Sequence, residues 1–589
     1  MNRQFTADFE TTTKPDENGH VRVWAWALCE IGDPDNFIYG NSIDTMMEHI
    51  QNLDGNHKLY FHNLRFDGSY IVSWLYKNGF EYINDPKDKR ENTFTTLISS
   101  MGQWYSIEIF FEQKGKKWHR LKIMDSLKIF NFSVADVAKN FNLPISKLEI
   151  DYDEFRPVGH ELTPHEVDYI RNDVKIMALA LDIMFKQGHT KMTISSDALA
   201  HYKSLTPRFR QYFPELSSEI DGDIRQSYKG GFTYLNPLYQ EKETGAGIVF
   251  DVNSMYPAQM RYKELPYGMP EPFFGKYEYD PIYPLYVQNI SCAFEIKKGK
   301  IPSIQIKRNY LFRANEYLES SNGEVVSLTL AQPDLELFFE QYDIDESTLE
   351  YEGGWKFKSA QGLFNNYVDY WTEQKIKATK EGNKAQRTIA KLFLNSLYGR
   401  FGLNPKGGKK KPILDIYDEM HYEFIEEADR KPVYIPVATF ITAYARKFII
   451  ESSQAIRDWS IKNKGFDAYI YSDTDSIHAL LTNEDVEQLK DILQIDDYKL
   501  GWWKPESKFM RGKYIRQKCY IEQDYDGTIN ATIAGLPKRL APVITFDNFH
   551  IGFSTAELAD ELLDKYGRKL TYKQCDGGVI LVPVDFTIK

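Results

Sequence analysis

The chain has few cysteines, no long apolar run and no excess of positive charge. Its cysteines are widely spaced, which excludes a CxxC metal site and is typical of a reducing compartment without disulfides. The four are Cys29, Cys292, Cys519 and Cys575. A membrane-spanning helix needs about 18 consecutive apolar residues, and no such run occurs, so we expect no membrane span. Residues 1–5 lack an apolar stretch, so we expect no secretory signal.

The net charge of −12 argues at first against a nucleic-acid partner, but the cations are clustered. Basic stretches occupy residues 375–391, 406–411 and 504–518, and an acidic run from Asp415 to Asp429 follows the second. One such stretch alone is typical of a solvated surface. Several of them near candidate metal carboxylates favour a polyanionic partner. Aromatic residues form 15% of the chain and supply stacking partners for bases.

The hexapeptide Tyr471–Ser476 places two carboxylates, Asp473 and Asp475, at the end of an apolar run. In a strand or tight hairpin, residues two apart point to the same face, where two negative charges repel. A hard divalent cation such as Mg²⁺ relieves that repulsion through oxygen ligands. The alternative is an ordinary Asp-rich turn.

A second carboxylate, Asp251, follows the apolar strand 248–250. Val252 can offer its backbone carbonyl to a metal, and Pro257 fixes Tyr256 near the strand end. Alone, this pattern also fits a plain strand and turn with a buried tyrosine. Together with Asp475, Asp251 would form a two-carboxylate metal site able to support phosphoryl transfer.

A third set of acidic residues lies in the first 190 residues. Asp8 and Glu10 alternate on one strand face, and Asp67 follows an apolar strand end. Tyr169 and Asp173 are four residues apart, so they share one face of a helix. These four carboxylates could hold two metals, and Tyr169 could orient a metal-activated water for attack on a phosphodiester. Any single member could instead be a surface carboxylate or a helix cap.

The segment 387–399 carries polar residues on one helical stripe, namely Arg387, Lys391, Asn395 and Tyr398. Two cations and a terminal aromatic suit a nucleoside triphosphate. The alternative is an amphipathic helix with a solvated basic face. In the segment Tyr228–Phe232, Gly230 and Gly231 would let the backbone approach a phosphate chain closely.

The length of 589 residues predicts about three to four domains. Thr163, Pro164 and Glu166 predict a capped helix that ends near Gly188. Residues 263–366 resemble an inserted module, 367–400 are predicted helical, and 404–412 are predicted to be a Gly/Lys loop. The predicted strands are Phe5–Phe9, Val21–Leu28, Val433–Phe440, Ala468–Tyr471 and, after a turn, residues up to Val582.

Short segments in a fixed order give the chain a recognisable pattern: DFETTT, HNLRFDG, YIRND, DVNSMYP, KLFLNSLYG, YSDTDS and KCY. From about residue 5 to the last residue, the chain resembles the protein-primed members of the family B DNA polymerases. The resemblance implies an α/β and α+β multidomain fold. An RNase H-like 3′–5′ exonuclease domain would precede a right-hand polymerase of palm, fingers and thumb with two inserted regions.

The implied domains are consecutive. They are an exonuclease domain (1–188), the first part of the palm (189–262), a first inserted region (263–366), fingers (367–402), a second inserted region (403–431), the second part of the palm (432–544) and a thumb (545–589). The first insertion would contact a priming terminal protein and duplex DNA. The second would close around the template and part the downstream duplex.

The resemblance also implies residue roles. Asp251 and Asp475 would be the polymerase metal ligands, with Val252, and Asp473 would support them. Tyr256 would read the sugar of the incoming nucleotide, which Arg387, Lys391, Asn395 and Tyr398 would bind. In the exonuclease, Lys147 would assist the carboxylates. The DNA contacts would be His62, Asn63, Phe66, Ser126, Leu127, Tyr228, Gly230, Gly231, Lys518 and Tyr520.

The implied function is replication of a linear phage genome by protein priming, with proofreading and strand displacement. It would use two Mg²⁺ or Mn²⁺ ions per active site, template-primer DNA, dNTPs and a terminal protein, as a monomer or a heterodimer with that protein. The location would be the cytoplasm of an infected bacterium. The alternatives are a nucleic-acid-primed family B repair polymerase and a non-catalytic DNA-binding replication factor.

Overall fold

The computed structural model describes residues 3–53, 55–306, 316–426 and 430–589. The end of the acidic run at Asp429 and part of the 263–366 segment therefore lie outside the described residues. Within the described ranges, none of the helices is both long and apolar enough to cross a membrane.

The chain up to Lys186 forms an eight-stranded mixed sheet flanked by helices. Its strands are β1 (Gln4–Thr11), β2 (Val23–Glu30), β3 (Asp33–Gly40), β4 (Asn56–Phe61), β5 (Glu81–Tyr82), β6 (Thr93–Ile98), β7 (Trp104–Lys114) and β8 (Lys117–Asp125). Its helices are α1 (Ile43–Gln51), α2 (Leu64–Lys77), α3 (Val134–Asn140) and α4 (Pro164–Lys186). The strand order is β3-β2-β1-β4-β8-β7-β6-β5, with β1, β4 and β8 parallel, so their carboxyl ends share one edge.

Helix α4 begins as its sequence predicts. The Thr163 side chain accepts from the backbone N–H of Glu166, and the Glu166 side chain accepts from the backbone N–H of Thr163, which completes a capping box. Gly188 follows the last turn with φ of +82°, a conformation that favours glycine. The cap therefore fixes the start of the helix that carries Tyr169 and Asp173.

A five-stranded antiparallel sheet, which we call the central sheet, lies in the second half of the fold with strand order β22-β11-β21-β20-β9. The elements up to its first long strand are α5 (Ile194–Leu205), α6 (Phe209–Tyr212), α7 (Ser218–Arg225), β9 (Thr233–Leu235), β10 (Glu243–Thr244), β11 (Gly247–Val252) and α8 (Met255–Tyr262). The predicted inserted module follows as β12 (Leu265–Phe273), β13 (Leu285–Cys292), β14 (Phe294–Ile296), β15 (Val326–Ala331), α9 (Gln332–Gln341), β16 (Tyr342–Ile344) and β17 (Glu350–Ala360). This module has a sheet and an apolar cluster of its own.

The predicted helical segment forms two helices, α10 (Asn365–Lys380) and α11 (Lys384–Phe401), joined by a short turn. The predicted boundary at 366/367 falls within the first turn of α10, which begins at Asn365.

The Gly/Lys loop predicted over 404–412 is wrong in its second half, because β18 (Gly408–Leu414) pairs with β19 (Met420–Glu426) in a hairpin. Lys409 is 6% exposed, and its Nζ donates to the carbonyl oxygen of Asn84. A long aliphatic stem packed against the first domain thus replaces the expected flexible tip.

The strand predicted over Val433–Phe440 is also wrong, because these residues start the 30-residue helix α12 (Ile435–Lys464). Ile435, Val437 and Phe440 are fully buried. A continuous apolar run fits a buried helix as well as a buried strand, so periodicity could not separate them.

The rest of the chain completes the central sheet and adds two smaller ones. Its elements are β20 (Tyr469–Asp473), β21 (Ser476–Ala479), α13 (Asn483–Leu493), β22 (Trp503–Phe509), β23 (Arg511–Arg516), β24 (Cys519–Gln523), β25 (Ile529–Ile533), α14 (Asp560–Tyr566), β26 (Lys569–Cys575) and β27 (Gly578–Val584). The β26–β27 hairpin returns to the first domain, where the Tyr70 hydroxyl donates to the carbonyl oxygen of Val579 at 2.7 Å. The strands predicted at 468–471 and before Val582 are confirmed.

A pair of histidines lies where the first domain meets the α10–α11 pair. The ring of His189 is 4.4 Å from that of Phe393 and 6.4 Å from that of His201, whose Nδ1 accepts from the Trp371 indole N–H at 3.0 Å. Burial lowers the pKa of His189 to about 4. Packing here therefore requires a neutral imidazole.

We expect His189→Gln to reduce the loss of stability that occurs as the pH falls below neutrality. A histidine with a lowered folded-state pKa contributes stability that is present above its unfolded pKa of about 6.5 and lost as the pH falls towards 4. Urea unfolding at pH 7.5, 6 and 4.5 should show a smaller loss of stability for this variant than for the unmodified protein. The exposed His165→Gln is the matched control, and equal losses in all three proteins would contradict the assignment.

Candidate active sites

The first site, which we call the central-sheet site, is built by the pairing of β11 with β21. Asp251 lies opposite Ser476, and the backbone N–H of Val252 donates to the carbonyl oxygen of Asp475 at 2.8 Å. Asp475 occupies the tight turn between β20 and β21, next to Thr474 with φ of +64°. Asp251 and Asp475, 224 positions apart in the sequence, therefore meet at one sheet edge.

Asp473 has a different role from the one suggested by the hexapeptide alone. The Nζ of Lys518 donates to both of its carboxylate oxygens, at 2.9 and 2.8 Å. The two aspartates of the motif therefore do not form the paired platform by themselves, and Asp475 pairs with Asp251 instead. Asp473 anchors Lys518 in the β23–β24 turn, two residues before Tyr520 on β24.

Burial and the negative charges of Asp475 and Glu506 raise the pKa of Asp251 to about 7. Burial, Asp473 and Glu506 also raise the pKa of Asp475. Glu506 was missed by the sequence reasoning, which counted it inside a basic stretch. Phe250 pairs with Pro505 and Val249 with Ser507, so Glu506 is the extra residue of a β-bulge. Only the register between β11 and β22 shows that Glu506 lies beside the two aspartates.

A cavity of about 630 Å³ opens beside Asp251 and Asp475. All four residues of the predicted polar stripe on α11 line it, together with Lys375 and Lys504; the stripe is Arg387, Lys391, Asn395 and Tyr398. Burial and the nearby Arg387, Lys391 and Lys504 lower the pKa of Lys375. A cavity in which several cations face a carboxylate pair suits a polyanionic ligand that binds together with a divalent metal.

Tyr256 closes one side of this cavity. Its ring stacks on that of Tyr398, with centroids 4.0 Å apart and planes 26° apart. The stack joins α8, which follows Asp251, to α11, which carries the cations. Tyr256 is thereby held in a fixed position next to the two carboxylates.

The Tyr228–Phe232 segment lies against the same turn. A Cβ on Gly231 would come within 2.8 Å of the Thr474 hydroxyl, so the close approach requires glycine. The guanidinium of buried Arg446 donates to the carbonyl oxygens of Lys229 and Gly230 and pairs with Asp334 at 2.5 Å. Arg446 thus holds this segment in place and ties it to the inserted module. The sequence reasoning missed Arg446, which lies in helix α12 beyond the strand predicted over Val433–Phe440.

The second site, which we call the N-terminal site, gathers carboxylates from three elements. Oxygen atoms of Asp8, Glu10 and Asp173 lie within 4.8 Å of one another. Asp67 lies on the first turn of α2, and burial together with Asp8 raises its pKa. Burial and the charge of Asp173 raise the pKa of Asp8 to about 7. The structure therefore groups three of the four carboxylates that the sequence singled out, and the fourth, Asp67, interacts with Asp8 and Glu10 through its charge.

The surroundings of the N-terminal site fit a cation. Asp173 Oδ1 is buried with no hydrogen-bond partner among the described residues, while its Oδ2 pairs with Lys147 Nζ. That ammonium also lies 5.2 Å from the centre of the Tyr169 ring. The hydroxyls of Tyr169 and Tyr152 are 2.5 Å apart, so Tyr152, which the sequence reasoning missed, positions Tyr169. An unpaired buried oxygen among several carboxylates suits the ligation of a hard divalent ion.

Hydrogen bonds connect several of the residues expected to hold a single strand. His62 is fully engaged, with Nδ1 3.0 Å from the Ser126 hydroxyl and Nε2 2.7 Å from the carbonyl oxygen of Phe132. Both ring nitrogens of His62 are therefore already bonded within the protein. The backbone N–H groups of Asn63 and Leu127 both donate to Asp125 Oδ1, at 3.0 Å each.

A side chain from the far end of the chain contacts two of these residues. The Asn63 amide donates to the Tyr572 hydroxyl at 3.2 Å, and the ring of Phe66 is 6.5 Å from that of Tyr572. Asp125 and Tyr572 were both missed by the sequence reasoning. Tyr572 lies 509 positions from Asn63, so no local pattern could have identified it.

The chain matches the family of organellar and viral type B DNA polymerases over residues 52–492, and it belongs to that family. It is 46% identical to the DNA polymerase of Bacillus phage M2 over the whole of both chains. It is 44% identical to that of Bacillus phage phi29, over 100% of this chain and 99% of the other. The DNA polymerase of Streptococcus phage Cp-1 is 31% identical over 100% of this chain and 99% of that one.

The structure is also similar to a solved structure of the phi29 DNA polymerase with primer-template DNA and incoming nucleotide. The TM-score is 0.90 at 42% identity, over the whole of both chains. The expected resemblance and multidomain fold class are thus confirmed. The protein is a DNA-directed DNA polymerase that depends on divalent metal and uses DNA and dNTPs.

We expect Asp8→Asn to stabilise the metal-free protein and to reduce its stabilisation by Mg²⁺. A carboxyl with a raised folded-state pKa contributes stability that is present below its unfolded pKa of about 3.9 and lost as the pH rises through about 7. At pH 8 the charged Asp8 therefore destabilises the fold unless a cation is bound. Thermal unfolding at pH 8 in EDTA should give a higher Tm for the variant.

The same scan with Mg²⁺ should raise the Tm of the unmodified protein more than that of the variant. Asp35→Asn is the matched control, because that side chain is 92% exposed on the same domain. An identical Mg²⁺-induced shift in all three proteins would show that Asp8 does not contribute to metal binding.

Proposed function

We propose that this polymerase replicates a linear phage genome from a protein primer, with 3′–5′ exonuclease proofreading and strand displacement, in the cytoplasm of an infected bacterium. The observation that carries the proposal is the presence of two separate carboxylate clusters in one chain. One lies beside a cationic cavity, and the other lies near the residues expected to hold a single strand.

At the central-sheet site, Asp251, Asp475 and the carbonyl oxygen of Val252 would hold two Mg²⁺ or Mn²⁺ ions. When bound, the ions would stabilise the charge that develops on the phosphate during transfer. Lys391 and Arg387 would hold the triphosphate of the incoming dNTP, with Lys375 and Lys504 adding positive charge at the cavity wall. Asn395 completes the polar stripe.

Tyr256 would exclude ribonucleotides. Its position is fixed by the stack on Tyr398, so a 2′-hydroxyl on the incoming sugar would meet a ring that cannot move aside. Lys518 and Tyr520 would hold the primer end, since Lys518 is anchored on Asp473 beside Asp475. Tyr228, Gly230 and Gly231 would carry the template backbone past the same turn.

At the N-terminal site, Asp8, Glu10, Asp67 and Asp173 would hold the two ions of the exonuclease. Tyr169, held by Tyr152, would orient the attacking water, and Lys147 would balance the charge of Asp173. Asn63, Phe66 and Leu127 would grip the 3′ end of a single strand together with His62 and Ser126. This arrangement supports removal of a mispaired terminal nucleotide.

The inserted module supports the protein-priming part of the proposal. It has its own core and exposes large apolar side chains, with Phe274 90%, Tyr279 77% and Ile282 63% exposed. Exposed apolar groups close together mark a protein-binding surface. A terminal protein bound here would form a heterodimer with the polymerase, which would otherwise be a monomer. A nucleic-acid-primed repair polymerase would have no use for this surface.

Each proposed domain corresponds to a set of the strands and helices described above. Residues 1–188 would be the exonuclease domain, 189–262 and 432–544 the palm, and α10 and α11 the fingers. Residues 545–589 would be the thumb, with the terminal hairpin closing on the exonuclease domain. The hairpin β18–β19 would part the downstream duplex, because its apolar tip at Ile416 and Tyr417 is exposed.

The two activities should separate by mutation. Asp475→Ala removes a polymerase metal ligand, so nucleotide incorporation should fall by several orders of magnitude while degradation of a single strand persists. Asp8→Ala with Glu10→Ala should have the reverse effect. A primer-extension gel with and without dNTPs measures both activities, and Asp35→Ala is the exposed control. Loss of both activities from either change in a folded protein would refute the two-site assignment, and full incorporation by Asp475→Ala would revive the non-catalytic alternative.

Shortening the hairpin tip should reduce strand displacement without changing the chemistry. Removal of 405–428, whose last two residues lie outside the described part, would also expose the first domain, because Met420 and Tyr422 pack against its core. Replacing 415–419 with Asn-Gly keeps that packing. We expect normal single-nucleotide addition on an open template but shorter products on a gapped template with a downstream duplex. Equal product lengths on both templates would exclude the hairpin tip from displacement.

A further inference from the structure

Two adjoining cavities lie at the amino edge of the first sheet, away from both active sites. One, of about 530 Å³, is lined by Lys89, Lys116, Lys117, Trp118 and Arg120, among others. The second, of about 260 Å³, is lined by Arg3, Lys58, Arg120 and Lys122 with neutral neighbours. Both contain Asn56 and Arg120, so they form one continuous surface, which we call the amino-edge patch. Among the described residues, no carboxylate lines either cavity.

The patch lies at the opposite end of the strands from the N-terminal site. Strand β8 starts at Lys117 in the patch and ends at Asp125, which accepts from the backbone N–H of Asn63. At about 3.3 Å per residue, these two ends are roughly 26 Å apart. A ligand on the patch would therefore occupy a different part of the protein from a DNA end held beside Asn63.

The cations of the patch are only partly neutralised. Lys58 and Lys122 are direct neighbours on the parallel strands β4 and β8. Glu108 lies 3.2 Å from Arg120 and 3.6 Å from Lys122, whereas Lys58 makes no ion pair within the described part of the chain. Burial and the charges of Lys122, Arg120 and Lys191 lower the pKa of Lys58. In a chain with net charge −12, such a concentration of like charge at one edge calls for an anionic ligand.

We propose that the amino-edge patch is a second binding site for single-stranded DNA, used by a strand that has left the catalytic sites. Trp118 is the residue that favours single-stranded DNA over an acidic protein as the ligand of the patch. Its indole is half-buried against Phe110, with ring centroids 6.0 Å apart, and its remaining surface is open among Lys116, Lys117 and Arg120. Cations that follow a backbone, interleaved with an aromatic ring on which bases stack, are the elements of sequence-independent single-strand binding.

The test must exclude binding at the two proposed catalytic sites. The full-length protein is first saturated in EDTA with a primer-template hairpin, which fills the polymerase site. A fluorescent circular oligo-dT is then titrated in, because a closed circle has no 3′ end to enter the exonuclease site. Binding is measured by anisotropy at several salt concentrations.

The patch variant is Lys58→Gln with Lys122→Gln, both at least partly exposed. The matched control removes the same charge elsewhere, with Lys462→Gln and Lys490→Gln on exposed helical surfaces. We expect affinity for the circle to fall roughly tenfold in the patch variant, and the slope of log K against log salt to shrink by about 1.4, since each phosphate contact to a single strand contributes about 0.7. The control variant should bind as the unmodified protein does.

A third variant, Trp118→Ala, tests the aromatic contribution. It should weaken binding of oligo-dT but not of an abasic circle of the same length, because only bases stack. Unchanged affinity in the patch variant would overturn the proposal. The proposal would also be overturned if poly-glutamate competed as well as oligo-dT and Trp118→Ala had no effect. That pair of results would assign the patch to an acidic protein.

Discussion

Repulsion between buried carboxylates is the constraint on which both active sites depend. Burial and the charge of Asp475 raise the pKa of Asp251 at the central-sheet site, and burial and the charge of Asp173 raise the pKa of Asp8 at the N-terminal site. Each set is held in place by a large sheet with an extensive apolar core, so the side chains cannot move apart to relieve the repulsion. A divalent cation bound by either set would relieve that repulsion.

The scaffold that holds these carboxylates close together is formed by contacts between segments that are distant in the sequence. The turn at Thr474 is packed against Gly231, where no side chain would fit, and Arg446 holds the adjoining carbonyl groups while bonding to Asp334 in the inserted module. Through this buried arginine, a surface that fits a protein partner is joined to a backbone segment beside the polymerase carboxylates. The geometry of the polymerase site and the placement of the insertion are therefore parts of one structure.

Charged residues are also distributed unevenly over the protein. The chain is acidic overall, yet cations concentrate where a phosphate must be held, around Lys375 and Lys391 beside the metal carboxylates and around Lys58 at the amino edge. Because like charges crowd in each place, both surfaces favour an anionic ligand over solvent. An acidic remainder keeps the polymerase from binding DNA everywhere, so that contact occurs mainly at these surfaces.

The sequence by itself determined the features that depend on a few neighbouring residues. The cap at Thr163 placed α4 correctly, and spacing within a strand or a helix turn singled out Asp8, Glu10 and Asp173, which the structure groups at the N-terminal site. The tertiary structure decided the rest. Residues 435–440 are helical because they are buried between other elements, Glu506 reaches the central-sheet site through a bulge in strand register, and Tyr572 contacts Asn63 from 509 positions away in the sequence. Burial, register and long-range closure are set by partners that no local pattern contains.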